Sequence, residues 1–86
     1  MKIEYTISNH AEKELDNRQI PIEFIEEVLS KPQQVYFDEY GVSVYQSILD
    51  FPNGKKYLLR IFVANKEPKH IITIYRTSKI SKYWRQ

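Results

Sequence analysis

The sequence lacks cysteine entirely and has only two glycines and one methionine among its 86 residues. Without cysteine there are no disulfides, no thiolate zinc sites and no thiol nucleophile, a composition typical of a reducing cytoplasm. The two glycines stand alone in turn-like segments, which excludes a glycine-rich phosphate loop and a dinucleotide-binding fold. No apolar run approaches the ~20 residues of a membrane span, and the N-terminal segment lacks the apolar centre of a signal peptide. We therefore expect a cytoplasmic protein with no membrane contact.

The length and composition predict a single small domain over residues 1–86. A chain of this size buries only about 60–65% of the surface that its unfolded form exposes, so it can hold one modest core. Apolar residues make up 42% of the sequence and charged residues 28%, as in ordinary globular proteins.

Charge is distributed unevenly along the chain. Residues 1–43 contain four basic and nine acidic residues, whereas residues 44–86 contain nine basic and two acidic residues. The halves therefore carry −5 and +7 within a net charge of +2. This asymmetry favours a surface that binds a polyanion. Alternatively, the acidic and basic halves face each other across the fold.

Local patterns predict a strand or extended lead-in followed by two helices. Residues 3–7 alternate between apolar and polar side chains, and Ser8 or Asn9 can cap the helix that follows over residues 10–18. Pro21 suits the start of a second helix over residues 22–30, and Pro32 ends it. In that helix the apolar face should comprise Ile22, Ile25, Val28 and Leu29.

After Pro32 the apolar period changes to two, which predicts four strands over residues 34–39, 42–49, 55–64 and 70–78. Their short connections favour an antiparallel meander. The predicted fold is α+β, with two N-terminal helices on one face of a twisted four-stranded antiparallel sheet. The segment after residue 78 is either an irregular tail or one short helical turn.

Strand faces identify one arginine as a candidate binding residue. In the third of these strands the core face should comprise Tyr57, Leu59, Ile61 and Val63. Arg60 then projects from the opposite face between apolar neighbours, an arrangement suited to stacking bases and binding phosphate. Both faces of the last strand are half apolar, so either one could meet the helices.

Two histidines are the first candidates for acid–base chemistry near neutral pH. His10 opens the first helix, where it could equally be an inert, hydrogen-bonded side chain. His70, at the start of the last strand, suits a solvated edge position. No spacing of histidines and carboxylates predicts a metal site, and no cofactor is expected.

Residues 75–84 combine tyrosines, a tryptophan, hydroxyls and cations, including Tyr75, Arg76, Thr77, Lys79 and Tyr83. Cations bind phosphates and aromatic rings stack on unpaired bases. Metal-independent RNA cleavage needs a base for the 2′-hydroxyl proton, cations for the phosphorane and an acid for the leaving oxygen. Alternatively, these aromatics pack the tail onto the core and the cations only keep it soluble.

The segments YTISNHAEKELDNRQI, IEFIEEVLSKPQQV, KKYLLRIFV and ITIYRTSKISKYW resemble a family of small bacterial and cyanobacterial domains of unknown function. That family is grouped with RelE/ParE-type toxins of the barnase–EndoU–colicin–RelE superfamily, and BrnT-type toxins look similar in the order of their elements. The resemblance implies an mRNA-cleaving toxin with a small acidic antitoxin as its partner. Residues Lys55, Lys56, Arg60, Arg76 and Tyr83 match the RelE-like arrangement in kind and order. His10 is closer to the histidine-using branch of the superfamily.

The leading hypothesis is a metal-independent endoribonuclease toxin of a toxin–antitoxin pair, with RNA as its substrate. Its catalytic residues would be His10, Arg60, Arg76 and Tyr83, with both arginines clamping the scissile phosphate. Substrate would be held by Arg18, Lys55, Lys56, Tyr75, Thr77 and Lys79. The alternative is a non-catalytic module that binds nucleic acid or inhibits a protein target, as ParE-like relatives do. A homodimer is left open.

Overall fold

The computed structural model describes residues 3–37 and 40–85. Its elements in chain order are β1 (Tyr5–Ile7), α1 (Asn9–Asn17), α2 (Ile22–Ser30), β2 (Gln34–Phe37), β3 (Val42–Asp50), β4 (Lys56–Ala64), β5 (Lys69–Thr77) and α3 (Ile80–Tyr83). The prediction of an α+β fold is confirmed. Residues 38 and 39, the end of the first of the four strands predicted after Pro32, lie outside the described residues.

The N-cap of helix α1 is Ser8, one of the two residues predicted for that position. The Ser8 hydroxyl oxygen accepts a hydrogen bond from the Ala11 backbone N–H at 3.0 Å, which satisfies a donor that the first helical turn leaves unpaired. Ala11 and Leu15 form its buried side. Gln19 then adopts a left-handed conformation with φ of 51°, so the chain turns sharply before α2.

Helix α2 buries Ile25, Val28 and Leu29. Ile22, which the sequence pattern assigned to the same face, is instead 53% exposed. It is the first residue of α2, and the core receives only the later Ile25, Val28 and Leu29 of this face. Phe24, beside this face, meets the Phe51 ring edge-on at 5.0 Å.

The sheet has the strand order β1-β5-β4-β3-β2. Strands β2 to β5 form the predicted antiparallel meander. The four-strand, two-helix prediction is nevertheless incomplete, because β1 adds a parallel fifth strand beside β5 and α3 adds a third helix. The parallel pairing joins residues 64 positions apart, Tyr5 with Lys69 through Ile7 with Ile71. No local pattern in the sequence encodes such a contact.

Helices α1 and α2 cover one face of the sheet, and the core lies between them. The predicted inward residues Leu59, Ile61 and Val63 are fully buried there, with Tyr57 packed against them. Strand β5 contributes both Ile71 and Ile74 to the core, although strict alternation would put them on opposite faces. A β-bulge resolves this: Val63 pairs with Ile71 and Phe62 with Thr73, so Ile72 is an extra residue.

We call the opposite side of the sheet, turned away from α1 and α2, the distal face. The register assigns to it Tyr36 of β2, Gln46 of β3, Arg60 and Phe62 of β4, and Thr73 and Tyr75 of β5. The chain after β5 folds back over this face through α3. Among the helices of residues 3–37 and 40–85, none is long and apolar enough to cross a bilayer.

Candidate functional site

The centre of the distal face is the Arg60 guanidinium. It donates hydrogen bonds from Nε to the Gln46 side-chain oxygen at 2.9 Å, from Nη1 to the Tyr75 hydroxyl at 2.6 Å and from Nη2 to the Tyr36 hydroxyl. The residue is only 6% exposed. Three strands therefore supply the acceptors, since β2, β3 and β5 each contribute one side chain. The sequence prediction that Arg60 leaves the core face is confirmed, and the structure adds that its guanidinium is buried there.

The acceptors around Arg60 are all uncharged. The ion pairs formed within the described ranges are Arg18 with Glu14 and Lys56 with Asp50, and neither involves Arg60. Removing a cation from water without a counter-charge is costly. A guanidinium has five N–H groups, and within the described part of the chain three of those of Arg60 have an acceptor, which leaves two unused. The distal face thus contains a fixed positive charge that is suited to an anion.

Aromatic rings surround the same guanidinium. Its central carbon lies 4.5 Å from the ring centre of Tyr83, 5.2 Å from Phe62, 5.7 Å from Tyr75 and 6.0 Å from Tyr36. Phe62 and Tyr75 are stacked with 6.0 Å between ring centres. Such contacts stabilise a desolvated cation by up to about 2 kcal/mol each. They also give the face flat apolar surfaces on which an unpaired base can stack.

The C-terminal segment closes over Arg60 because two glutamines bind its backbone. The buried Gln46 amide nitrogen donates to the Tyr83 carbonyl at 3.2 Å and to the Gln34 side-chain oxygen at 2.6 Å. Gln34 in turn donates to the Arg85 carbonyl at 2.5 Å. The Arg85 guanidinium lies 3.6 Å from the centre of the Tyr36 ring. The tail is therefore held against the distal face and not against the core, where the packing alternative had placed it.

His10 lies at the edge of the distal face. Its Nε2 shares a 3.1 Å hydrogen bond with the Thr73 hydroxyl, and the residue is exposed. Thr73 and Tyr75 are same-face neighbours on β5, about 7 Å apart along the strand. The structure therefore brings His10 to the side of the sheet that holds Arg60, Tyr75 and Tyr83.

Arg76 is on the other side of the sheet from Arg60, so the predicted clamp of two arginines is wrong. Arg60 pairs directly with Tyr75, whereas Arg76 pairs with the core residue Leu59. Because side chains alternate along a strand, Arg76 points to the helix side. There its guanidinium lies 4.3 Å from the Tyr57 ring centre and 4.9 Å from that of Phe51.

The predicted substrate-binding residues are also divided. Tyr75 and Thr77 are on the distal face, and the Thr77 hydroxyl accepts from the Lys79 backbone N–H at 3.0 Å. Lys56 forms an exposed ion pair with Asp50 at the end of β4, and Lys55 is exposed in the preceding turn. Arg18 caps the end of α1 and pairs with Glu14. It lies with the helices and away from the distal face.

Sequence reasoning missed Tyr36, Gln34 and Gln46, which hold the arginine and the tail. The signal for Gln46 was present, since an amide in the middle of the apolar strand VSVYQSIL is unusual and requires buried partners. Tyr36 gave no comparable signal among the many tyrosines. Within the described ranges, His, Cys, Asp and Glu side chains form no group of three that could hold a metal ion.

A family model described as a domain of unknown function, DUF4258, matches residues 7–81. The matched span includes His10, Arg60 and Tyr75, and Tyr83 follows it. No curated protein matches the chain, and no solved structure does so. Because the match covers most of the sequence, the chain belongs to the DUF4258 family of unknown function.

Proposed function

We propose that the protein is a metal-independent endoribonuclease of the toxin type that acts on RNA at the distal face. The observation that carries the proposal is the Arg60 guanidinium, buried among neutral acceptors and paired with no carboxylate of the described chain. A cation fixed in this way attracts a phosphate and stabilises the negative charge that develops on a phosphorane. The +7 charge of residues 44–86 supports a polyanionic substrate.

The reaction needs only groups that the chain contains. A base removes the proton from a ribose 2′-hydroxyl, the 2′-oxygen attacks the adjacent phosphorus, and the 5′-oxygen leaves with a proton. The products are a 2′,3′-cyclic phosphate and a 5′-hydroxyl. His10 is the exposed imidazole at the edge of the face and is assigned one of the two proton transfers. Phe62 and Tyr75 offer the stacking surface for a neighbouring base.

Arg60 and Tyr83 act together in this proposal. The Tyr83 ring covers the guanidinium, so a phosphate contacts the two unused N–H groups only when that ring moves aside. Until then the arginine attracts the phosphate by its charge alone. We assign Tyr83 to positioning and shielding the arginine and do not give it a proton transfer. Arg76 has no part, because it lies on the helix side.

The relationship to RelE/ParE-type and BrnT-type toxins, and with it an acidic antitoxin partner, belongs to the same proposal. A positive face with partly exposed aromatics suits an acidic amphipathic segment that folds on binding. The antitoxin partnership is tested by expressing the protein in bacteria with and without the reading frame that adjoins its gene. Growth arrest that the neighbour relieves supports the pair, and unaffected growth in both cultures contradicts it.

Cleavage is tested with purified protein and RNA in excess EDTA, with the product ends identified. We expect 2′,3′-cyclic phosphate ends and a loss of 10²- to 10⁴-fold in rate for His10→Ala, the usual contribution of general acid–base catalysis. Lys31→Ala is the matched control, because it removes an exposed charge at the end of α2 on the helix side. It should cleave at the wild-type rate. Intact RNA with wild-type protein, or equal rates for wild type and His10→Ala, would overturn the proposal.

The second candidate function is RNA binding without cleavage, favoured by the low exposure of Arg60. It predicts salt-sensitive binding that survives His10→Ala, with no cleaved product at any enzyme concentration. The cleavage assay therefore separates the two candidates when it is run beside a binding measurement at two salt concentrations.

A further inference from the structure

Both histidines of the chain form hydrogen bonds with threonine hydroxyls, one on β5 and one on β1. His10 Nε2 is 3.1 Å from the Thr73 hydroxyl oxygen, and His70 Nδ1 is 2.7 Å from the Thr6 hydroxyl oxygen. The first pair joins α1 to β5, and the second joins β5 to β1. Each imidazole is thus held by one nitrogen and presents its other nitrogen away from the threonine.

The β-bulge puts these two pairs on the same side of the sheet. His70 pairs with Ala64 and Thr73 pairs with Phe62, and Ala64 and Phe62 are alternate residues of β4. His70 and Thr73 are three apart in sequence, which in a regular strand would place them on opposite faces. Because Ile72 is the extra residue, they share the distal face at the spacing of alternate residues, about 7 Å. Bulges commonly re-aim side chains in this way next to active sites.

Ser8 fixes the bulge and the start of α1 together. Its backbone N–H donates to the Ile71 carbonyl at 3.0 Å, and its hydroxyl donates to the carbonyl of the bulged Ile72 at 2.7 Å. The same hydroxyl oxygen accepts from the Ala11 N–H. One residue thus holds the segment that carries His10 against the segment that carries His70. The relative position of the two imidazoles is therefore set by the fold and not by flexible side chains alone.

We propose that His70 is the second proton-transfer group of the site and works with His10 as an acid–base pair; this inference rests on the proposed endoribonuclease function. Cleavage through a 2′,3′-cyclic phosphate needs one group to accept the 2′-hydroxyl proton and another to supply a proton to the departing 5′-oxygen. Two imidazoles on one face can meet both needs without a metal, because each has a second nitrogen that is not bonded to its threonine. His70 is half-buried and His10 exposed, so RNA lying along β5 on the distal face can reach both.

The test compares two kinds of substrate. In a dinucleotide the leaving group is a ribose 5′-oxygen, which needs a proton, whereas in a nucleoside 3′-(4-nitrophenyl phosphate) the nitrophenolate leaves without one. The variants are His10→Gln and His70→Asn, whose amides can keep the bonds to Thr73 and Thr6. All four nucleosides are assayed, and circular dichroism checks the fold.

We expect the cleavage rate on dinucleotides to fall at least 100-fold in both variants. On the nitrophenyl substrates the variant that lacks the acid should fall less than 5-fold, while the variant that lacks the base should again lose at least 100-fold. If His70→Asn equals wild type on dinucleotides while His10→Gln is inactive, the pair is refuted but the endoribonuclease proposal stands. Equal losses by both variants on both substrates would also refute the pair. If the wild type cleaves neither RNA nor the nitrophenyl substrates, the underlying function fails.

Discussion

Replacing Tyr75 by phenylalanine removes one oxygen atom from the network that holds Arg60. The Tyr75 hydroxyl accepts the Nη1 hydrogen bond at 2.6 Å, next to a residue that is 6% exposed. The ring itself would remain, with its stacking on Phe62 and its edge contact 6.3 Å from Tyr83. The variant therefore isolates the hydrogen bond from the packing.

The expected loss of stability follows from the guanidinium N–H that no longer has an acceptor. An N–H of a buried cation would lose its acceptor, and an unpaired buried group costs about 1–3 kcal/mol, with charged groups toward the upper end. The ring contacts contribute nothing to the difference because they are retained. We therefore expect Tyr75→Phe to lower the free energy of unfolding by about 2 kcal/mol.

Urea denaturation at neutral pH measures this change, with Tyr57→Phe as the matched control. Among residues 3–37 and 40–85, the Tyr57 hydroxyl accepts a single hydrogen bond, from the exposed Asn53 side chain at 3.0 Å, so its loss should change stability by at most about 0.5 kcal/mol. Introducing Arg60→Met into the wild type and into Tyr75→Phe completes a double-mutant cycle. The Tyr75 effect should shrink by about 1–2 kcal/mol once the guanidinium is gone.

Equal stability changes for Tyr75→Phe and Tyr57→Phe would refute this reasoning. A double-mutant cycle with no coupling between Tyr75 and Arg60 would do the same. Either result would mean that the guanidinium does not depend on the tyrosine, and the arginine-centred site would lose its structural basis.

Two further predictions concern the first strand and the helix that follows it. Ser8→Ala should lower the free energy of unfolding by about 1–2 kcal/mol, because it removes the helix cap and the bond to the bulge. Ser30→Ala removes only an exposed 3.3 Å bond and should change stability little in the same urea titration; similar losses would contradict the role of the cap. Burial, and secondarily the negative charge of Glu26, raises the pKa of Tyr5 above its ordinary value near 10. The unfolded chain therefore releases this proton at lower pH than the folded one, so the Tyr5 contribution to stability is complete below pH 10 and is lost as pH rises further. Stability measured from pH 9 to 11 should fall less steeply in Tyr5→Phe than in wild type, and identical slopes would contradict the shift.

The spacing of apolar residues and the positions of proline and turn residues determined most of the secondary structure. The change from a helical period to alternation after Pro32 predicted two helices followed by strands, because proline ends helices and alternating β-branched residues favour half-buried strands. The core face of β4 followed from the same alternation. These signals act between residues close in sequence, so they can be read without knowing the fold. His10 and Arg60 stood out for an equally local reason, since each is an ionisable side chain in an unusual position on its element.

Only the tertiary structure decided how these residues combine. The parallel pairing of β1 with β5 and the extra residue at Ile72 depend on contacts between distant segments. Together they aim His70 and Thr73 at the same face. Pairing register also separates Arg60 from Arg76. Arg60 pairs with Tyr75, and Arg76 is the next residue of β5, so its side chain points to the opposite side of the sheet. The burial of Arg60 likewise requires acceptors from three other strands and a tail that folds back over it. Such long-range hydrogen bonds leave little trace in local sequence, which is why Arg60 and Tyr75 could be singled out from the sequence whereas Tyr36, Gln34 and the arrangement of the site could not.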